Sequence, residues 1–88
     1  MKIELTEAEA DTGLHHHSEL WVRVLSSDPL DPSSNLPDII AKRIAPEVLG
    51  KYFTTACAWH EGLWEDDDPE RSEFGFEQWW ILPSKRSQ

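Results

Sequence analysis

Basic residues are scarce in this chain: 8 Lys and Arg stand against 17 Asp and Glu, a formal net charge of −9. Proteins that bind nucleic acid directly cluster their cations to displace counterions from phosphate. Here the cations are scattered and each lies near acids, which argues against that class. Cysteine is nearly absent. Cys57 stands alone, so no internal disulfide can form, and a reducing cytosol is the expected setting. Glycine is also sparse, at 4 residues, and none builds a phosphate-cradling loop. Apolar runs are no longer than Trp79 to Leu82, far below the roughly 20 residues of a membrane-spanning helix. The stretch Met1 to Ala10 has neither the basic start nor the apolar run of a signal peptide. No internal repeat is visible. The expectation is a cytoplasmic protein with no membrane span.

What the chain does have is aromatic bulk. Five Trp contribute to a hydrophobic fraction of 39%, too high for a wholly disordered acidic chain. Eighty-eight residues make a single small domain over residues 1–88, with a modest core. Its charge repels itself, and either burial or a basic partner must offset that repulsion.

Residues 1–19 form an acidic N-terminal arm carrying Glu4, Glu7, Glu9, Asp11 and Glu19. Thr6 and Glu9 have the spacing of a helical capping box, with Gly13 as a stop, while Ile3 and Leu5 have the alternation of a strand. Leu20 to Leu25 is β-branched and aromatic and reads as a strand. Leu20, Val22 and Val24 share one face, and Trp21, Arg23 and Leu25 share the other. Residues 26–35 are a Ser, Asp and Pro loop. A helix capped by Asn35, with Pro37 in its first turn, follows from Leu36, Ile39, Ile40 and Ile44 at helical spacing. Pro46 ends or kinks it, and Val48, Leu49, Tyr52, Phe53 and Ala56 carry helical spacing onward past Gly50. Residues 54–60 fit a strand with Thr55, Cys57 and Trp59 on one face, or an extension of the helix; the strand is favoured. Phe74 to Leu82 reads as the last strand, with Phe74, Phe76, Trp80 and Leu82 on one face and a bulge at Gln78. Residues 83–88 are a polar tail expected to fray. The sum is an α+β fold, a small antiparallel sheet of three or four strands packed on one kinked helix or helix pair over about residues 36–53.

Three constellations deserve weighing for function. The first is the acidic stretch with Glu61, Glu65, Asp66, Asp67, Asp68, Glu70, Glu73 and Glu77, in which Trp64 and Phe74 are apolar anchors. Such a run is ordinarily a solvated loop. Three consecutive Asp repel one another without aiding the fold, so a contact surface with an aromatic anchor is the functional alternative. Calcium is disfavoured, because the alternating donors and turn glycine of an EF-hand are missing. The second is the set His15, His16, His17, Cys57 and His60, which would make a zinc site only if the segments met in space. A short His run more often ends a strand or lies in a loop, so no metal or other cofactor is expected. Cys57 beside His60 lacks the orienting group and oxyanion site of a thiol nucleophile, and a small thiol between two Ala is more often buried packing. The third is the Trp79–Trp80 pair, whose neighbours on a strand point to opposite faces. One of them lies on the open sheet face, joining Ile81 and Trp21 in an apolar patch. Trp80 is taken as the contact residue.

These readings converge on a non-catalytic, acidic protein-binding module. The expected role is an inhibitor that occupies a basic nucleic-acid-binding surface of a target protein, its carboxylates standing in for phosphates. Anti-defence proteins of phage or mobile elements, anti-CRISPR-like inhibitors and immunity or antitoxin proteins share this bulk composition. The expected contact residues are Glu61, Trp64, Glu65, Asp66, Asp67, Asp68, Glu70, Glu73 and Trp80. The competing expectation is a structural or adaptor subunit, or a homodimer, joined through the aromatic sheet face.

Overall fold

Lys2 to Thr6 alternate polar and apolar, so an extended chain can turn Ile3 and Leu5 to one side where a helix cannot. The computed structural model, which describes residues 1–11, 16–61 and 73–85, resolves the choice in favour of a strand. The elements are β1 (Lys2–Asp11), β2 (His16–Ser26), α1 (Asp38–Ala41), α2 (Pro46–Leu49), β3 (Ala58–Glu61) and β4 (Phe76–Pro83). Among the described residues the strands form one four-stranded sheet in the order β1-β2-β4-β3, antiparallel throughout. With its two short helices the arrangement is α+β.

Strand register fixes what each face carries. Leu20 lies opposite Leu82, and Val22 opposite Trp80, in the β2–β4 pair. Trp59 lies opposite Trp80 in the β3–β4 pair, and Ile3 opposite Val24 in the β1–β2 pair. These side chains therefore share one face. Leu20, Val22, Val24, Trp80 and Leu82 form a single buried cluster with Leu36, Ile40, Ile44, Tyr52 and Cys57 from the segment that covers them. Each large side chain withdrawn from water there contributes roughly 1.5–3 kcal/mol.

The covering segment is more broken than its periodicity predicts. Helix is confined to two four-residue pieces, α1 and α2. The reason lies in the prolines. Ala45 precedes Pro46 and is held extended, at φ −57° and ψ 131°, because the proline ring disfavours helical geometry in the residue before it. Pro37 occupies the N-cap of α1 with ψ 141° and no side-chain cap, so Asn35 does not cap this helix. Leu36, Ile40 and Ile44 are buried as expected, whereas Ile39 is 47% exposed. A four-residue helix buries a narrower stripe than the long helix that would have covered all four.

β4 also departs from expectation. Glu73 and Phe74 are helical, and Gly75, at φ 105°, turns the chain into the strand, which begins only at Phe76. The ladder with β2 runs unbroken from Phe76 to Pro83, so there is no bulge at Gln78. Gln78 instead lies buried on the core face and spends its amide on the 26–35 loop. Its Oε1 accepts from the Leu30 N–H at 2.9 Å, and its Nε2 donates to the Leu30 carbonyl at 2.6 Å. The Trp80 indole N–H donates to the Ser33 carbonyl at 3.1 Å, so two side chains of β4 hold this loop. The strand reading of residues 54–60 holds only from Ala58. The turn before it places Ala56 at φ 58°, in the left-handed region.

Candidate functional site

The face of the sheet opposite the core carries two cross-strand rows that each traverse all four strands. One row runs Thr6, Trp21, Ile81, Ala58, and the next runs Glu4, Arg23, Trp79, His60. The period of two that sends Leu20, Val22 and Val24 inward sends Trp21 and Arg23 to this face, and Trp79 and Ile81 follow by the same rule in β4.

At the centre of the face, Trp21 and Trp79 meet edge to face, with ring centroids 5.8 Å apart and planes at 83°. This is the arrangement that ring quadrupoles favour. Both remain partly exposed. Their indole N–H groups are satisfied by acids two residues away. Trp79 Nε1 donates to Glu77 Oε1 at 2.9 Å, and Trp21 Nε1 to Glu19 Oε1 at 3.3 Å. The Arg23 guanidinium lies 6.0 Å from the Trp79 ring centroid. It donates to Glu77 Oε2 through Nε at 2.6 Å and to Glu4 Oε1 through Nη1 at 2.7 Å.

The two ion pairs differ in weight. Glu77 has 1% of its side chain exposed and Arg23 15%, so their pair is shielded from solvent. Glu4 is 40% exposed, and its pair with Arg23 is correspondingly screened. Arg23 is thus absorbed by the face's own acids, and the face offers a partner aromatic surface edged by carboxylates.

Of the sequence-derived contact residues, the structure describes Glu61, Glu73 and Trp80. Glu61 is exposed at the end of β3, but its register opposite Gln78 places it on the core side of the sheet. Glu73 is exposed just ahead of Gly75. Trp64, Glu65, Asp66, Asp67, Asp68 and Glu70 lie outside the described residues. Trp80 requires correction as a contact residue. It is 0% exposed, the largest fully buried side chain among the described residues, because β4 turns it toward the helices. Its neighbour Trp79 holds the open-face position. Arg23, Glu4, Glu77 and His60 join the face although none was expected as a contact residue; the period of two in β2 and β4 places Arg23 beside Trp21 and Glu77 beside Trp79.

Among the described residues the metal-type side chains do not converge. Cys57 is buried on the core side, and His60 is exposed on the opposite face. His17 Nε2 lies 3.8 Å from Glu19 Oε2, and His15 falls outside the described residues. Among the described residues there is no group of three His, Cys, Asp or Glu that could hold an ion. Burial pushes the Cys57 thiol above its ordinary range, which disfavours the thiolate. A shallow groove of about 500 Å³ near α2 includes Leu49, Tyr52, Phe53, Thr55 and Lys85 in its lining. Its lining residues offer the Tyr52 hydroxyl and one ammonium, from Lys85, and no carboxylate, imidazole or thiol. No helix among the described residues is long and apolar enough to cross a membrane. Compared with protein-family models, curated proteins and solved structures, the chain gave no match.

Proposed function

We propose that this chain is a non-catalytic, acidic protein-binding module that meets a basic surface of a target protein through the open face of its sheet. The observation that carries this reading is the partly exposed Trp21–Trp79 pair with Glu4 and Glu19 beside it. Aromatic side chains supply binding energy where water is excluded, and a charged rim steers the approach and sets specificity. A net charge of −9 favours a cationic partner. Surfaces that bind nucleic acid are the most cationic that proteins commonly present, so an inhibitor that occupies such a surface is the role in view.

The test is affinity capture from the native host's lysate, washed at low and at high salt, with wild type, Trp21→Ala and Phe53→Ala compared side by side. Phe53 is 45% exposed and away from the face, so it controls for general stickiness. A basic protein held at low salt, released at high salt and lost only with Trp21→Ala is the expected result. Equal recovery by Trp21→Ala removes the face from the mechanism. The second reading, an adaptor or homodimer, is favoured by the strip Trp21, Ile81 and Ala58 running across three strands. It predicts salt-resistant association, and light scattering at rising concentration separates the two.

A further inference from the structure

Among the described residues, the order β1-β2-β4-β3 leaves β1 at one margin of the sheet, paired only with β2. In an antiparallel pair every second residue of an edge strand turns its N–H and C=O away from its partner. From Ile3 to Glu9, no backbone hydrogen bond from the described residues reaches that outer side. At ten residues β1 is long for an edge, and natural edges are usually short, bulged or covered. Here the ladder with β2 is continuous from Lys2 to Asp11.

The side chains say what strand this margin would accept. Register puts Ile3, Leu5 and Glu7 on the core side, opposite Val24, Val22 and Leu20. By the same alternation Glu9 lies on that side too. Leu5 is 42% exposed although it faces the core side, because nothing lies beyond β1 to cover it among the described residues. Glu7 and Glu9 are exposed as well. An added strand running antiparallel would therefore meet two carboxylates and then two aliphatic side chains on one face. A second copy of this chain brings the same acids to the seam and gathers like charge there. A strand with basic residues followed by aliphatic ones meets each position with its complement.

We propose that the outer edge of β1 is a strand-addition site for an extended basic peptide segment of a partner protein. Main-chain hydrogen bonds supply the binding, Glu7 and Glu9 select Lys or Arg, and Leu5 with Ile3 selects an aliphatic residue. The site is separate from the Trp21–Trp79 face, so either can exist without the other.

The probe is the peptide Lys-Thr-Lys-Thr-Val-Thr-Val, whose residues fall opposite Glu9 through Ile3 in antiparallel register. It is titrated into the full chain by NMR, with amide exchange of β1 followed throughout. Two further peptides carry N-methyl groups on alternate residues, one in each phase. In strand addition only one phase points its N–H groups at β1. That phase should therefore lose ~10-fold or more in affinity, as expected for several deleted hydrogen bonds, while the other binds nearly as well as the parent. Alternate β1 amides should slow their exchange on binding, Glu9→Lys should weaken it, and Trp21→Ala should leave it unchanged. Equal loss in both N-methyl phases, or unchanged β1 exchange, overturns the proposal by showing mere charge attraction. β1 amides that become protected with protein concentration alone overturn it in favour of a second copy.

Discussion

The side-chain amide of Gln78 closes a ring of two hydrogen bonds on the backbone of Leu30, which lies 48 residues earlier in the chain. The Gln78 amide is buried and the Leu30 groups are partly so, and together they satisfy one another. Gln78→Met keeps much of the shape and removes both bonds, leaving the Leu30 N–H and carbonyl unpaired. We expect a loss of about 2–3 kcal/mol in urea unfolding, because an orphaned buried donor or acceptor costs more than the net value of its bond. Loss of under ~0.5 kcal/mol would mean that water reaches Leu30 readily.

Arg23 and Glu77 form the second such relationship. Arg23→Met strands the Glu77 carboxylate, which has 1% of its side chain exposed, and should cost about 3 kcal/mol. Adding Glu77→Gln removes the buried charge while keeping an acceptor for the Trp79 indole, so the double variant should recover at least half of that loss. Glu4→Gln should cost under ~1 kcal/mol, because Glu4 is 40% exposed. A double-mutant cycle by denaturant unfolding reads all three, and full additivity would sink the account.

Backbone geometry yields a pair of opposite effects. Gly75 has φ 105°, where a side chain is strained, and Gly75→Ala should destabilise by about 1–2 kcal/mol. Ala56 has φ 58°, and glycine relieves its left-handed strain at some cost in unfolded-chain entropy. Ala56→Gly should raise stability by up to ~1 kcal/mol. Melting temperatures that move in the same direction would contradict this.

Two groups set the alkaline limit. Burial, and then the negative charge and hydrogen bond of Glu7, push the Tyr52 hydroxyl up; burial pushes the Cys57 thiol up despite an opposing backbone hydrogen bond at Leu36. A raised value means that the folded state holds the proton more tightly than the unfolded one. The resulting stability is fully present below the ordinary values of these groups and is lost as pH climbs through the folded ones. Urea midpoints should fall from about pH 9 upward. The double variant Tyr52→Phe with Cys57→Ala should flatten that fall relative to pH 7, and an unchanged slope would assign it to other groups.

Much of the sheet is legible from residues alone. β2 shows its alternation openly, and so does the outer half of β4, because each local choice agrees with the pleat. Most failures share one cause, a deciding partner remote in sequence, and the covering helix failed on its own prolines. Gln78 looks like an interruption until Leu30 is seen to accept and donate. Ile39 looks buried until Pro37 and Pro46 cut the helix to short pieces, although Pro46 itself gave warning. Ile3 and Leu5 favoured a strand no more than Thr6 and Glu9 favoured a helix, and the pairing with β2 settled it. On the open face, Trp79 and Trp21 were visible by parity, whereas the choice of Trp80 required knowing which face the helices cover.

The middle of the sheet joins β2 to β4, and the Arg23–Glu77 contact across it spans 54 residues. During synthesis β1 and β2 leave the ribosome before β4 and can pair as a hairpin at once. The apolar side of that hairpin then has no β4 to meet until nearly the whole described chain has emerged. Folding should accordingly be slow for so small a protein, since long-range pairing must await loop closure. In the interval the nascent chain shows Leu20, Val22 and Val24 to solvent, and a chaperone that shields them would raise the yield of native protein without touching its final stability.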